Sequence, residues 1–241
     1  MPVNVVQQLM GFPISVDLRD GDRPDADRVF AWLREVDLRF SPFRIDSEVS
    51  RYPSVEPSDD LREVLALCDE YERRSGGAFR ASLPGRSFDP SAIVKGWAVQ
   101  RGALMLREAD VTRFCVNAGG DVVTAGEPSP GQPWRVGIRH PDNAQQITAV
   151  LGIRDGAVAT SAAYERGQHI YDGRTGLPAF GLLSVTVHAS DLTTADATAT
   201  AAFALGVDGP EWAAAQEGCL VYAVDTNYRV FRSPELPVVS G

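Results

Sequence analysis

The run SDLTTADATATAAFALG at 190–206 sets a carboxylate, Asp196, four residues before a hydroxyl, Thr200. On a helix that spacing stacks the two groups on one face, a turn apart. Two hard oxygen donors placed this way suit Mg²⁺, which takes one or two carboxylates and keeps its other positions for water and substrate phosphates. The same residues also admit a purely structural role. Thr193-Thr194-Ala195-Asp196 matches a capping box, with Thr193 as N-cap and Asp196 three residues on. The remainder of the segment is so rich in Ala and Thr that a backbone or a ligand must pack closely against it.

Three further runs concentrate polar groups. In FDPSAIVKGWAVQ (88–100), Asp89 precedes a helix start that its side chain can cap, and Lys95 lies inside the helix among Ile93, Val94 and Trp97. An unpaired ammonium there is costly, so Lys95 either snorkels to solvent or meets an anionic ligand. NAGGD (117–121) follows a strand; its two glycines permit a tight turn and also let backbone amides approach an anion. YERGQHIYDGRTGLP (164–178) gathers Tyr164, Glu165, Arg166, His169, Asp172, Arg174 and Thr175. His169 is the one histidine in such surroundings, and an imidazole with an ordinary pKa near 6.5 suits a general base, although a lone histidine is more often structural. GxGxxG and GxxxxGK[ST] are absent, as are GxSxG and HExxH, so those dinucleotide, P-loop, hydrolase and metalloprotease chemistries drop out.

The elements that must position these groups can be read from periodicity. Strands are expected at 3–9 and 13–18 around Met10-Gly11, and a helix at 24–38 with Val29, Phe30, Leu33 and Val36 on one face. A second helix follows Ser58, with Asp59 and Asp60 in its first turn and Gly76-Gly77 ending it. A third spans 91–109. Strands are expected at 112–117, 134–140, 147–153, 157–160 and 182–189, then helices at 194–206 and near 210–216, and a hairpin from 219–225 to 228–232. The Gly- and Pro-rich stretch 126–133 reads as a turn cluster. Helices come early and strands late without regular alternation, which predicts an α+β fold, one domain with a mostly antiparallel sheet and packed helices.

Composition narrows the partners. The 241 residues are 44% apolar and carry a formal charge of −9 with no basic run, which disfavours nucleic acid. No stretch approaches the roughly 18 apolar residues of a membrane span. Cys68, Cys115 and Cys219 are far apart and odd in number, so neither a disulfide framework nor a zinc site is expected.

Taken in order, Met10-Gly11, SEVSR (47–51), DPSAIVKG (89–96), NAGGD (117–121), ATSAAYER (159–166), HIYDGRTG (169–176) and TADATAT (194–200) resemble the motif series of the ApbE-type family, the FAD:protein FMN transferases. The resemblance covers roughly residues 8–206. It implies a T-fold-like α+β domain that uses Mg²⁺ and FAD, transfers the FMN half of FAD to a Thr or Ser hydroxyl of an acceptor flavoprotein, and releases AMP. It also implies roles: Asp196, Thr200 and the main-chain carbonyl of Ala92 as metal ligands, and His169 as the base. Met10, Gly11, Phe43, Ser82, Asp89, Lys95, Asn117, Gly119, Gly120, Asp121, Ile170 and Arg174 are implied as flavin-contacting residues.

Three departures from the family pattern stand out. AFRASLPG (78–85) lacks the aspartate and central glycine of an FDPTVGPL-like run. Phe43 stands where tyrosine is common, and Gly173 replaces a proline, which is expected to loosen the loop that holds His169 and Arg174. The start of the chain shows neither an export signal nor a lipid-anchoring cysteine, so a cytoplasmic location is expected. An FAD pyrophosphatase giving FMN and AMP is the close alternative, followed by a non-catalytic FAD-binding protein and a purely structural domain.

Overall fold

A computed structural model describes residues 2–163 and 170–239. The chain opens with a hairpin of β1 (Val3–Leu9) and β2 (Phe12–Leu18). Met10 and Gly11 form its two-residue turn, with φ of 54° and 85°. Positive φ at both positions is what a type I′ turn demands, and glycine at the second meets it without strain.

Helix α1 (Arg23–Phe40) is opened by Asp22, whose side chain accepts from the Asp25 amide while Asp25 returns the bond. It buries Val29, Phe30, Leu33, Val36 and Phe40. The short α2 (Glu48–Arg51) and longer α3 (Asp59–Arg74) are capped by Ser47 and Ser58. Arg39, at the end of α1, ties these three helices together. Its guanidinium meets Glu35 at 2.8 Å, Glu48 at 2.7 Å, Asp60 at 2.9 Å and the Ser58 hydroxyl at 3.1 Å.

Helix α4 (Ser91–Glu108) is the central helix, and it centres on Trp97. That ring packs against Trp32 and Phe40 at centroid distances of 5.5 and 5.4 Å. Strands β3 (Phe114–Ala118), β4 (Asp121–Ala125), β5 (Trp134–His140), β6 (Asn143–Ile153) and β7 (Gly156–Ala162) follow. Next come the two-residue strands β8 (Tyr171–Asp172) and β9 (Leu177–Pro178), then β10 (Leu182–Ala189), α5 (Leu192–Leu205), a 3₁₀ turn (Gly206–Asp208) and α6 (Gly209–Ala214). Strands β11 (Leu220–Asp225) and β12 (Val230–Arg232) complete the chain.

Eight strands form one antiparallel sheet in the order β1-β2-β3-β4-β7-β10-β11-β12. The fold is α+β, as the element pattern predicts. Helices α1, α4 and α5 bury one face over Val16, Val116, Val123, Ala159, Val185 and Val221. The β5–β6 hairpin buries part of the other through Val136, Ile138, Leu151 and Ile153, against Val122, Val158, Tyr222 and Val224.

The structure corrects two expected caps. Asp191, not Thr193, caps α5: its carboxylate accepts from the Thr194 amide at 2.9 Å and from the Thr194 hydroxyl at 2.7 Å. With the helix starting earlier, Asp196 lies beyond the first turn and out of capping reach. The N-cap of α4 is Pro90, which has no side-chain bond, and Asp89 instead accepts from the Ser91 amide at 3.0 Å. Strand β4, the short helix α2 and the β8–β9 pair are additions to the expected elements.

Candidate functional site

A cavity of about 1200 Å³ opens beside the helix-covered face of the sheet. That volume suits a ligand at or above drug size. Its walls come from the Met10-Gly11 turn, the end of α1 with Ser41–Phe43, the 79–92 segment, Lys95, the β3–β4 turn, Thr160-Ser161, Ile170-Tyr171, and Asp196 and Thr200 of α5.

Close helix packing brings Asp196 there. An added Cβ at Gly96 would stand 2.7 Å from the Leu192 carbonyl oxygen and 2.8 Å from the Asp196 Cβ, so only glycine lets α4 and α5 meet here. The Gly96 amide donates to Asp196 Oδ2 at 3.0 Å. Lys95 Nζ lies 3.5 Å from Asp196 Oδ1 and is ion-paired more tightly with Asp121 Oδ2. The other Asp121 oxygen accepts from the Thr160 amide at 3.0 Å. One ammonium thus faces two carboxylates, whose side chains are 3% and 4% exposed. Burial pushes the Asp196 carboxyl up to about 7, Lys95 opposes the rise, and Asp121 adds to it. Lys95 therefore neither snorkels freely nor waits for an anion, because the protein supplies its carboxylates.

Thr200 lies one turn beyond Asp196, its hydroxyl 3.2 Å from that of Ser161. Ala92, in the first turn of α4, lines the same cavity. The glycines of NAGGD form the β3–β4 turn, with φ of 63° at Gly119 and 106° at Gly120. Asn117 Oδ1 closes it by accepting from the Gly120 amide at 2.9 Å. An added Cβ at Gly119 would lie 3.1 Å from the Phe12 ring, which joins this turn to the first hairpin.

Met10, Gly11, Phe43, Asp89, Ala92, Lys95, Asn117, Gly119, Gly120, Ile170, Asp196 and Thr200 all line this one cavity. Phe43 is 93% exposed at its edge. Asp121 stands behind the wall, reached through Lys95. Ser82 and Arg174 are not brought in: Ser82 is exposed away from the cavity lining, and Arg174 is engaged by Asp172 at 2.8 Å through two nitrogens. His169 lies outside the described residues.

Gly173 is not a loosening element. Its amide donates to the Ala78 carbonyl at 2.8 Å, a bond proline cannot make, and an added Cβ would come 2.5 Å from the Gly77 carbonyl oxygen. Residues that sequence reasoning did not single out also line the cavity, among them Phe12, Arg80, Arg86, Arg139, Ser161 and Tyr171. Ser161 lies within the ATSAAYER run and Arg86 just upstream of Asp89, so proximity to the motifs was the available signal.

The antiparallel sheet, its helical cover and the buried acid-lysine-acid cluster define an α+β protein with a ligand cavity built between its first hairpin and its central helices. Residues 10–85 and 80–223 match the sequence profile of the ApbE family, and the chain belongs to that family. It is 30% identical over 166 residues to an FAD:protein FMN transferase of Escherichia coli K12, covering 64% of this chain and 47% of that protein. With the Rhodobacter capsulatus protein of the same name it shares 34% over 172 residues, covering 67% of this chain and 32% of that one. The chain spans about half the length, or less, of these curated relatives. The solved flavinyl transferase ApbE of Pseudomonas stutzeri, in its apo form, superposes with a TM-score of 0.87 at 23% identity, covering all of this chain and 98% of that one. The ApbE protein of Thermotoga maritima gives 0.85 at 22% identity, with 97% of each chain covered. At these identities the structural likeness speaks for the fold.

Proposed function

We propose that this chain is an FAD:protein FMN transferase that uses Mg²⁺, modifies a Thr or Ser hydroxyl of an acceptor flavoprotein and releases AMP. The observation that carries the reading is Asp196: a buried carboxyl, pushed up to about 7 by burial, on the wall of a cavity large enough for a dinucleotide. A carboxylate so placed calls for a cation. Lys95 supplies one charge, but it is shared with Asp121.

The donor set fits Mg²⁺. Asp196, Thr200 and Ala92 all line the cavity, and a carboxylate, a hydroxyl and a main-chain carbonyl are the hard oxygens Mg²⁺ prefers. When bound, Mg²⁺ supplies Lewis-acid polarisation of phosphoryl oxygens and neutralises charge on the leaving group.

The chain's own residues bind and orient. The Met10-Gly11 turn, Phe43 and the NAGGD turn enclose the flavin nucleotide, and Asn117 keeps the Gly119 and Gly120 backbone at close range. The acceptor's hydroxyl oxygen bonds to the phosphorus of the FMN half, the bond from that phosphorus to the AMP oxygen breaks, and His169 takes the hydroxyl proton. The reaction needs no nucleophile from the enzyme, only positioning and electrostatics.

The test is incubation of the chain with FAD, Mg²⁺ and a candidate acceptor flavoprotein, followed by mass spectrometry of the acceptor and quantification of AMP. An acceptor heavier by one FMN phosphoryl unit is the expected result. AMP without acceptor modification identifies an FAD pyrophosphatase, and neither product identifies an FAD-binding protein without turnover. His169→Ala should abolish transfer while leaving FAD affinity nearly unchanged.

A further inference from the structure

Arg86 and Tyr171 meet on the cavity wall without belonging to the groups proposed to carry the reaction. The Arg86 guanidinium carbon stands 3.8 Å from the centroid of the Tyr171 ring, so the planar group rests on the aromatic face. The segment that carries Tyr171 packs beside the 77–80 backbone. The missing side chain at Gly173 admits the 77–80 backbone, and the bond from the Gly173 amide to the Ala78 carbonyl fixes it at 2.8 Å. Tyr171 is thereby set against the altered 78–85 run and the arginine that follows it.

Stacking restrains the guanidinium but uses none of its five N–H donors. Among the described residues no carboxylate or other acceptor takes one of them. Neighbouring cations differ: Arg80 is paired with Glu72 at 2.9 Å, and Lys95 is held by Asp121 and Asp196. A planar fork restrained on a cavity wall matches two oxygens of a phosphate. It also stands only three residues upstream of Asp89, on the segment that leads to Ala92 and Lys95.

We infer that Arg86, restrained by Tyr171, binds a phosphate of the dinucleotide substrate and sets its affinity. This rests on the proposed flavin nucleotide reading of the cavity and names the group that recognises the diphosphate from the side opposite in charge to the Asp121–Asp196 cluster.

The test is fluorescence titration of wild type, R86Q and R86K with FAD and with riboflavin, in Mg²⁺, with thermal unfolding of each variant as a control. R86Q is expected to bind FAD about tenfold more weakly, the size of one charged hydrogen bond, while riboflavin affinity and Tm stay at wild-type values. R86K, which keeps the charge but not the fork, should fall between. Unchanged FAD affinity in R86Q overturns the inference, as does an equal loss of riboflavin. A raised KM for the acceptor with FAD binding intact also overturns it, reassigning Arg86 to an acceptor carboxylate. Failure of the wild-type chain to bind FAD at all overturns the functional reading and this inference with it.

Discussion

The backbone amide of Gly96 donates to Oδ2 of Asp196 at 3.0 Å, joining two helices one hundred residues apart in sequence. The bond exists because Gly96 carries no side chain to hold the two helices apart at that point.

Gly96→Ala tests that packing directly. The new methyl would meet the Leu192 carbonyl, a backbone atom that cannot swing aside, at 2.7 Å. Alanine gains up to about 1 kcal/mol of helix propensity, but overpacking of this kind costs about 1–3 kcal/mol and displaces α5. Calorimetry should show a lower Tm, and FAD affinity should fall with it.

Asp196→Asn separates charge from shape. Asparagine keeps an oxygen for the Gly96 amide and loses the carboxylate facing Lys95 and, beyond it, Asp121. The Mg²⁺-induced rise in Tm should vanish while the metal-free Tm stays near that of wild type. A full Mg²⁺ effect in this variant would remove Asp196 from the metal site.

The pH dependence of the metal-free protein follows from the same carboxyl. Its pKa in the folded chain is raised to about 7, above the ordinary carboxylate value, so the folded state holds the proton more tightly. That contribution to stability is fully present below the unfolded value near 4 and is lost as pH rises through about 7. Unfolding in EDTA should show wild type losing stability relative to D196N between pH 5 and 8. The Mg²⁺-induced shift in wild type should grow over the same interval.

His188 acts at the opposite limb. Burial lowers its pKa, and among the described residues its Nδ1 has no hydrogen-bond partner, so the folded chain favours the neutral imidazole. Its contribution is present above the ordinary value near 6.5 and is lost as pH falls below it, because the unfolded state takes the proton more readily. His188→Asn should flatten the acid side of the Tm profile.

Gly173→Pro is expected to be worse than Gly173→Ala. Both collide with the 77–80 segment, and proline also deletes the amide that bonds Ala78. Each should weaken FAD binding more than it lowers Tm, since the damage falls on the cavity wall and spares the core.

How far the sequence spoke can be judged at particular residues. The Met10-Gly11 hairpin, the helix capped by Ser58 and the helix around Trp97 all carried local signals, turn chemistry or apolar spacing, and all formed. Strand β4 did not show itself because all five of its residues are buried, Val122 under the β5–β6 hairpin and Val123 under the helices, so no alternation survives. Part of the cavity lining was reached through the motif series, such as Asp89, Asn117 and Asp196, whereas Phe12, Arg80 and Arg139 were not. The partnership of Lys95 with both Asp121 and Asp196 was not, since three elements far apart in sequence converge there. Spacing arguments reach one helix at a time. They also misjudged Gly173, whose tightness depends on a segment nearly a hundred residues earlier.

Arg39 fastens the first three helices to one another outside the sheet. Four oxygens from α1, α2, α3 and the cap of α3 converge on one guanidinium, which is why the residues between those helices, Phe43 among them, keep their place at the mouth of the cavity. Replacing that one side chain would unlatch a whole side of the binding chamber while the strands behind it stayed in register.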